Sequence, residues 1–233
     1  MDKKEEYIQK ATNPQQYDSP ELDWNHLGAE DSTSRKFFRE CLDEVLEDVS
    51  GKSVIDIGSG VGQLCNFLKL RGALEIWGIE PSKRNIDKTK ELYPEMKIVE
   101  GTLDNVNIDN KFDAAIMIYV LEHIMDIDSA FSKINTLLKH GSNLYLIIGD
   151  KEFNSLSKPG FEVDVQELDS DTIVTRAILA NEVMYNIYRN VSIVIDSAQR
   201  AGLELTKQVD KIPDYWKQVS DEPMLHLLVF SRV

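Results

Sequence analysis

The chain has 233 residues, of which 42% are hydrophobic, and this content is enough to bury a sizeable core within one domain. Its 40 acidic against 26 basic residues give a net charge of −14, a field that repels polyanions and argues against a nucleic-acid partner. The N-terminus lacks the apolar core of a signal peptide, and no apolar run approaches the ~18 residues of a membrane span, so we expect a cytoplasmic protein with no membrane partner.

Residues 1–31 are polar and aromatic, with Tyr7, Tyr17 and Trp24 among them. Three aromatic side chains are unusual in a discarded tail, so one interpretation is a lid that folds over a ligand. The other interpretation is a loose terminus.

An amphipathic apolar stripe begins at Phe37 and ends near Gly51, which predicts a helix that covers one face of a sheet. Cys41 lies on this stripe and Cys65 on the next one along the chain. We therefore expect buried free thiols rather than a disulfide or a metal site, which would need more ligands.

The next stretch, at 54–62, reads Val-Ile-Asp-Ile-Gly-Ser-Gly-Val-Gly, and a helical pattern over 63–70 follows it. The β-branched run suits a buried strand, and the glycines remove the Cβ atoms that would keep a ligand from the backbone. The helix N-terminus adds free N–H donors. The junction therefore predicts a ligand-binding turn.

The glycine spacing distinguishes between cofactors. The dinucleotide fingerprint is G-x-G-x-x-G, whereas Gly58, Gly60 and Gly62 follow G-x-G-x-G. Asp56 adds a carboxylate that would repel a pyrophosphate and attract a ligand ammonium. The pattern favours S-adenosylmethionine (SAM) over NAD, and we assign these four residues and Ser59 to cofactor binding.

A second strand-like run at 74–79 ends in Glu80, at roughly the ~20 residues from the glycine turn expected of a ribose-binding acid. A carboxylate there can accept hydrogen bonds from both vicinal ribose hydroxyls. Pro81 and Ser82 then open a helix and join the predicted cofactor site.

The segment 112–124, Phe-Asp-Ala-Ala-Ile-Met-Ile-Tyr-Val-Leu-Glu-His-Ile, resembles the fourth strand of class I SAM-dependent methyltransferases, with the VLEH ending of small-molecule O- and N-methyltransferases. Residues 137–144 resemble the family's LLKPGG passage into strand five, with His140 and Ser142 in place of Pro and Gly. The resemblance implies a doubly wound, Rossmann-like α/β fold. Its seven-stranded sheet would be mostly parallel with an antiparallel last strand, and helices would cover both faces.

The resemblance also implies further cofactor contacts. Tyr119 and Val120 would lie at the carboxyl end of strand four. After strand three, at 96–100, relatives often carry Gly-Asp, whereas this chain has Gly101-Thr102-Leu103-Asp104. Recognition of adenine is therefore left open between Thr102, the backbone of Leu103, and Asp104.

His123 is the leading candidate for a general base, because in the resembled fold it faces the ligand crevice and its unperturbed pKa is near ~6.5. Such a base typically adds ~10²–10⁴-fold when the acceptor must lose a proton. The alternative is a histidine that is hydrogen-bonded into the turn between strand and helix. Glu122 and Asp150 are the next candidates.

A helical pattern continues from 126 to 140, with Gly141 as its stop signal. Two strand-like runs, at 161–168 and 172–179, then predict a β-hairpin inserted after strand five. A helix, a strand at 203–209 and a last strand at 225–230 complete the chain.

Three basic residues lie in or near the insertion: Lys158, Arg176 and Arg189. If they converge, they could clamp a phosphate or a carboxylate of the acceptor. Their alternative role is as solvated surface charges.

We thus expect one methyltransferase domain over 1–233, with 1–31 as a lid and 150–190 as an acceptor-binding insertion. It would move a methyl group from SAM to an O or N atom of a small polar metabolite, such as a sugar or a phosphate-bearing compound. A monomer or a homodimer is expected. The alternative function is a non-catalytic binder of SAM or S-adenosylhomocysteine that regulates a partner.

Overall fold

The computed structural model describes residues 2–18, 33–179 and 182–233, and ten strands lie within them. They are β1 (Ser53–Ile57), β2 (Glu75–Glu80), β3 (Lys97–Glu100), β4 (Phe112–Ile118), β5 (Leu138–Gly149), β6 (Phe161–Glu167), β7 (Thr172–Leu179), β8 (Glu182–Arg189), β9 (Leu203–Lys211) and β10 (Leu225–Arg232). Seven form a sheet in the order β3-β2-β1-β4-β5-β10-β9, in which β10 is antiparallel to both its neighbours and β1 to β5 pair in parallel. The predicted Rossmann-like sheet with an antiparallel last strand is confirmed.

Helices cover this central sheet on both faces. The helices of the described residues are α1 (Lys3–Ala11), α2 (Thr33–Asp43), α3 (Gln63–Leu70), α4 (Lys83–Leu92), α5 (Ile127–Leu137), α6 (Lys151–Ser155) and α7 (Val191–Arg200). Short 3₁₀ turns lie at Pro14–Asp18, Leu121–His123 and Asp214–Trp216. Because side chains alternate along a strand, Ile55 of β1 packs in a cluster with Phe131 of α5, and Val54 packs in another cluster with Leu68 of α3.

Two predicted helices end earlier than the sequence indicates. The helix predicted to reach Gly51 stops at Asp43, although Leu46 and Val49 beyond it remain buried. An irregular segment can bury apolar side chains as well as a helix can, so the apolar stripe did not mark the helix end. The helix predicted to reach residue 140 stops at Leu137, where β5 begins at once.

The insertion contains the predicted hairpin, β6 and β7, and a third strand, β8, that the sequence analysis missed. Together they form a small antiparallel sheet in the order β6-β7-β8. One face of β8 contributes Ile187 to a buried cluster with Tyr7 of α1, and Met184 on its other face lines a cavity. With both faces covered, β8 lacks the alternation of apolar and polar residues that marks a half-exposed strand.

The N-terminal residues 2–18 pack against the small sheet. The Tyr7 hydroxyl donates to Asp164 Oδ2 at 2.8 Å, and the Tyr7 ring meets the Tyr185 ring edge-on at 5.2 Å. Trp24, which contributed to the lid interpretation, lies outside the described residues. Among the ranges that the structure describes, no helix has the length and apolar character needed to cross a bilayer.

Candidate active site

A cavity of about 910 Å³ opens at the carboxyl ends of β1, β2 and β4 and extends to the small sheet. Most of the residues that the sequence assigned to a site line it: Asp56, Gly58, Ser59, Gly60, Glu80, Pro81, Gly101, Thr102, Leu103, Tyr119, Val120 and His123. Gly62 and Ser82 do not line it. Parallel strands place their carboxyl ends along one edge, and this geometry brings together residues that are far apart in sequence.

The glycine turn is shaped by positive φ angles and by close packing. Gly58 has φ +72°, and a Cβ there would lie 2.2 Å from Cγ2 of Val120. Gly60 has φ +55°, and a Cβ there would meet open space. Gly62 has φ +74° at the start of α3, and its missing Cβ makes room for Thr89. Gly62 therefore allows α3 to pack closely against α4 and does not form part of the cavity wall.

Glu80 holds the turn in place from the neighbouring strand. Its Oε2 accepts from the backbone N–H of Gly60 at 2.9 Å, and its Oε1 accepts from the backbone N–H of Ser82 at 3.0 Å and from Asn85 at 3.1 Å. Burial raises the pKa of Glu80, and these three donors oppose that rise. Ser82 itself caps α4 and donates its hydroxyl to Asp18 at 2.6 Å.

Asp56 is a buried acid on the cavity wall, with 3% of its surface exposed. Burial raises its pKa to about 7, the charge of Glu80 adds to the rise, and Arg35 of α2 opposes it. A carboxylate in such surroundings is stabilised by any positive charge that enters the cavity.

His123 lies in the 3₁₀ turn after β4, and both of its ring nitrogens contact the N-terminal residues. Nδ1 lies 3.1 Å from the carbonyl oxygen of Ala11, and Nε2 contacts the hydroxyl of Tyr17. Because a carbonyl only accepts, Nδ1 carries the proton in this bond and Nε2 accepts from Tyr17. Burial lowers the pKa of His123 to about 4, so the ring is neutral at pH 7.

The other two base candidates lie away from the cavity. Glu122 accepts from the backbone N–H of Gly149 at 2.7 Å and does not line the cavity, and burial raises its pKa to about 7. Asp150 caps α6 and lies 3.0 Å from Nε2 of His226.

The three basic residues of the insertion do not converge. Arg189 donates to the carbonyl oxygens of the turn that carries His123, and Arg176 does not line the cavity. Lys158 does line it, but its Nζ donates to the carbonyl oxygens of Phe153 at 2.6 Å and Leu156 at 2.8 Å. The three side chains therefore do not form an anion clamp, because Arg189 and Lys158 donate to backbone carbonyl oxygens and Arg176 lies outside the cavity lining.

A sequence profile described as "Methyltransferase domain" matches residues 31–207 of this chain. The chain belongs to the class I SAM-dependent methyltransferase family. A curated protein of Invertebrate iridescent virus 6, named as a methyltransferase, is 30% identical over 150 residues, which are 63% of this chain and 57% of that protein. The chain thus spans little more than half of that relative.

Two further comparisons agree with this family. The ubiquinone biosynthesis O-methyltransferase of Rhodopseudomonas palustris (strain BisB18) is 24% identical over 206 residues, 85% of this chain and 77% of that protein. The solved S-adenosylmethionine dependent methyltransferase from Mesorhizobium loti has the same fold, with a TM-score of 0.66 at 17% identity over 83% of this chain and 96% of that one.

The cavity wall fits SAM, the cofactor of the family. Ser59 Oγ and Gln63 Oε1 are buried there without a hydrogen-bond partner among the described residues. Buried polar atoms are nearly always paired, so these two await a polar ligand. The carboxylate of Asp56 can pair with the ammonium group of SAM, and the carboxylate oxygens of Glu80 can accept hydrogen bonds from its ribose hydroxyls.

Sequence reasoning missed several residues of the cavity. Gln63 stands where the dinucleotide fingerprint would have its third glycine, and Arg35 lies on a helix that the sequence marks only by its apolar stripe. Thr175, Asn186 and Tyr188 line the far end from the small sheet. Their strand positions carry no local signal that tells which face would look into a cavity.

Proposed function

We propose that this chain transfers a methyl group from SAM to an oxygen or nitrogen atom of a small molecule. The observation that carries the proposal is the continuity of the cavity. It runs from the glycine turn and Glu80, past His123, to side chains of the small sheet. Such a cavity has room for an acceptor beside the cofactor. The relative named as a ubiquinone biosynthesis O-methyltransferase favours oxygen as the accepting atom.

The cofactor end of the cavity would hold SAM through the predicted residues. Asp56 would face the ammonium, and Glu80 the ribose hydroxyls. The backbone of the glycine turn, at Ser59 and Gly60, would contact the ligand directly. The segment Gly101-Thr102-Leu103 would border the adenine, and Tyr119 and Val120 would close the floor. Bound SAM supplies a methyl group on a sulfonium sulfur.

The residues beyond the cofactor would align the acceptor and handle its proton. Alignment alone can contribute effective molarities of ~10⁵ M or more. We place His123 as the base, because its neutral ring already accepts a hydrogen bond at Nε2. The acceptor hydroxyl would take the place of the Tyr17 hydroxyl there and pass its proton to Nε2 as the methyl group is transferred.

The segments 1–31 and 150–190 would complete the domain as lid and acceptor-binding insertion. The cavity is lined on the side of His123 by residues 12–14, Gln16 and Tyr17, and Asp18 accepts a hydrogen bond from Ser82 at the cofactor end. The N-terminal residues therefore contact both ends of the proposed site, as a lid must.

One contact favours a second candidate function, a non-catalytic binder of SAM or S-adenosylhomocysteine. The Tyr17 hydroxyl is hydrogen-bonded to Nε2 of His123, the nitrogen that a general base would use. A segment that never leaves this position would keep the acceptor out, and the protein would then report the cofactor to a partner.

Incubation with isotopically labelled SAM and fractionated extract of the source cell tests the two functions. A labelled small molecule identifies the acceptor and supports the enzyme. If the protein binds SAM by calorimetry and no fraction gains label, the non-catalytic binder is supported and the enzyme is refuted.

Calorimetry on the Gly60→Val variant tests the cofactor assignment itself. We expect SAM affinity to fall by at least about tenfold, or ~1.4 kcal/mol, because a branched side chain at φ +55° strains the turn and enters the cavity. Gly141→Val is the matched control: its φ is +74°, a Cβ there also meets open space, and it lies outside the cavity lining. Normal affinity in folded Gly60→Val protein would refute the assignment.

A further inference from the structure

The small sheet presents one set of alternate side chains to the far end of the cavity. Thr175 and Ala177 of β7 line it, as do Met184, Asn186 and Tyr188 of β8. The register pairs Thr175 with Asn186 and Ala177 with Met184, so these residues are cross-strand neighbours on one face. The opposite face, with Val174 and Ile187, packs on α1.

Thr175 carries a buried hydroxyl that makes no hydrogen bond within the described part of the chain. Its side chain is 1% exposed, and Oγ1 has no hydrogen-bond partner among the described residues. Native proteins pair the great majority of such groups, and those left unpaired in a cavity wall call for a ligand. Threonine here costs stability that a valine of the same shape would not cost.

Two neutral polar side chains lie on the same face of the small sheet. Asn186 is the cross-strand partner of Thr175, and Tyr188 follows two residues later on β8 and also lines the cavity. Neither side chain makes a hydrogen bond with any residue in the ranges described. Phe161, Ala177 and Met184 add apolar side chains to this wall.

Lys158, a cation that lines this end of the cavity, is already engaged by the protein. Lys158 donates to two backbone carbonyls, and its Nζ lies 4.3 Å from the centre of the Phe153 ring. To pair with Lys158, an anionic acceptor would have to replace these hydrogen bonds to the backbone carbonyls. An uncharged acceptor needs no such exchange, and the apolar wall suits a ring.

Resting on the proposed function, we infer that Thr175, together with Asn186 and Tyr188, binds an uncharged ring compound through a hydroxyl or carbonyl group remote from the methylated atom. The class of acceptor is thus a neutral phenol or quinol rather than a sugar phosphate. Thr175 is the specificity-determining residue of this subsite.

Titration of 4-methylcatechol into the protein, with and without S-adenosylhomocysteine, tests the inference by calorimetry. We expect saturable binding to the wild type and about tenfold weaker binding to Thr175→Val, the loss of one hydrogen bond. SAM affinity should not change. The free energy of unfolding of Thr175→Val should equal or exceed that of the wild type, a result that a structural role for the hydroxyl would not produce.

Thr172→Val is the matched control, since Thr172 lies on the same strand, is also buried, and does not line the cavity. Equal affinity of Thr175→Val and Thr172→Val for 4-methylcatechol would overturn the role of Thr175. Tighter binding of glucose 6-phosphate than of 4-methylcatechol, or no binding of the catechol at millimolar concentrations, would overturn the acceptor class. Thr175-dependent catechol binding in a protein that does not bind SAM would instead refute the proposed function and leave the subsite standing.

Discussion

Two buried acids face the same cavity with different partners. Glu80 accepts three hydrogen bonds from the protein, which stabilise its charge and fix the glycine turn. Burial raises the pKa of Asp56 to about 7, and the charge of Arg35 opposes this rise. At the residue scale, therefore, Glu80 is organised before a ligand arrives, whereas Asp56 gains most from a cationic ligand.

SAM affinity should depend on pH through Asp56. Its pKa of about 7 in the free protein falls when a cation binds beside it, so binding releases a proton near neutral pH. We expect affinity to drop by up to about tenfold as pH falls from about 8 to about 6. Calorimetry in buffers of different ionisation enthalpy measures both the affinity and the released proton.

Asp56→Asn is the control for this pH dependence. It should bind SAM more weakly at about pH 8 and show a flat profile, because an amide does not titrate in this range. A wild-type profile in the Asn variant would assign the dependence to another group.

His123 and Tyr17 make a second residue-scale prediction. With the acceptor identified, His123→Ala should lower kcat by ~10²–10⁴-fold, the usual contribution of a positioned base. Turnover within several-fold of the wild type would remove His123 as the base.

Tyr17→Phe should lower the acceptor KM, because the acceptor no longer displaces a hydroxyl from Nε2 of His123.

At the scale of elements, Arg189 joins the small sheet to the turn that carries His123. It lies at the end of β8, is 7% exposed, and donates to the carbonyl oxygens of Leu121, Ile124 and Met125. A guanidinium has five donors in a fixed fork, which suits several carbonyls at once. The insertion and the central sheet are thus connected at the proposed catalytic turn.

Arg189→Met should lower the free energy of unfolding by about 2 kcal/mol, since it leaves three buried or partly buried carbonyl oxygens without their charged donor. It should also raise the acceptor KM more than the SAM dissociation constant, because the turn borders the acceptor end. Urea unfolding and steady-state kinetics measure the two effects. Arg200→Met is the control: its ion pair with Asp128 is exposed, and its removal should have a much smaller effect on stability.

At the scale of the whole molecule, His226 connects the last two strands to the start of the insertion. On β10, its Nδ1 lies 2.8 Å from Asp210 of β9, and its Nε2 lies 3.0 Å from Asp150, the cap of α6. Burial disfavours the charged ring, but the hydrogen bonds with the two carboxylates outweigh it and raise the pKa of His226.

This raised pKa predicts how the stability depends on pH. A folded-state pKa above the unfolded value stabilises the protein at low pH, and the contribution is lost as pH rises through the folded-state pKa. The difference in unfolding free energy between wild type and His226→Asn should therefore be larger at about pH 6 than at about pH 9. Denaturant unfolding at both pH values measures it, and a difference that does not change with pH would contradict the charged state.

The sequence by itself predicted a mostly parallel central sheet and many of the residues that line one edge of the cavity. Three glycines, an acid near the end of β1 and another at the end of β2 are local signals, because each depends on what one strand end must do. Parallel topology then places those ends together. The same local reasoning misjudged where α2 and α5 end, since an apolar stripe reports burial and not helical hydrogen bonds.

Only the tertiary structure revealed the far end of the cavity, where we propose that the acceptor binds. It showed that β8 completes the small sheet, that Arg189 serves backbone carbonyls, and that Tyr17 contacts His123 across more than a hundred residues. These contacts depend on which surfaces pack together. Packing brings together residues that are far apart in sequence, and no local sequence pattern shows which ones will meet. A cavity edge formed by strand ends can be predicted from a sequence, whereas a cavity wall formed by the face of an inserted sheet cannot.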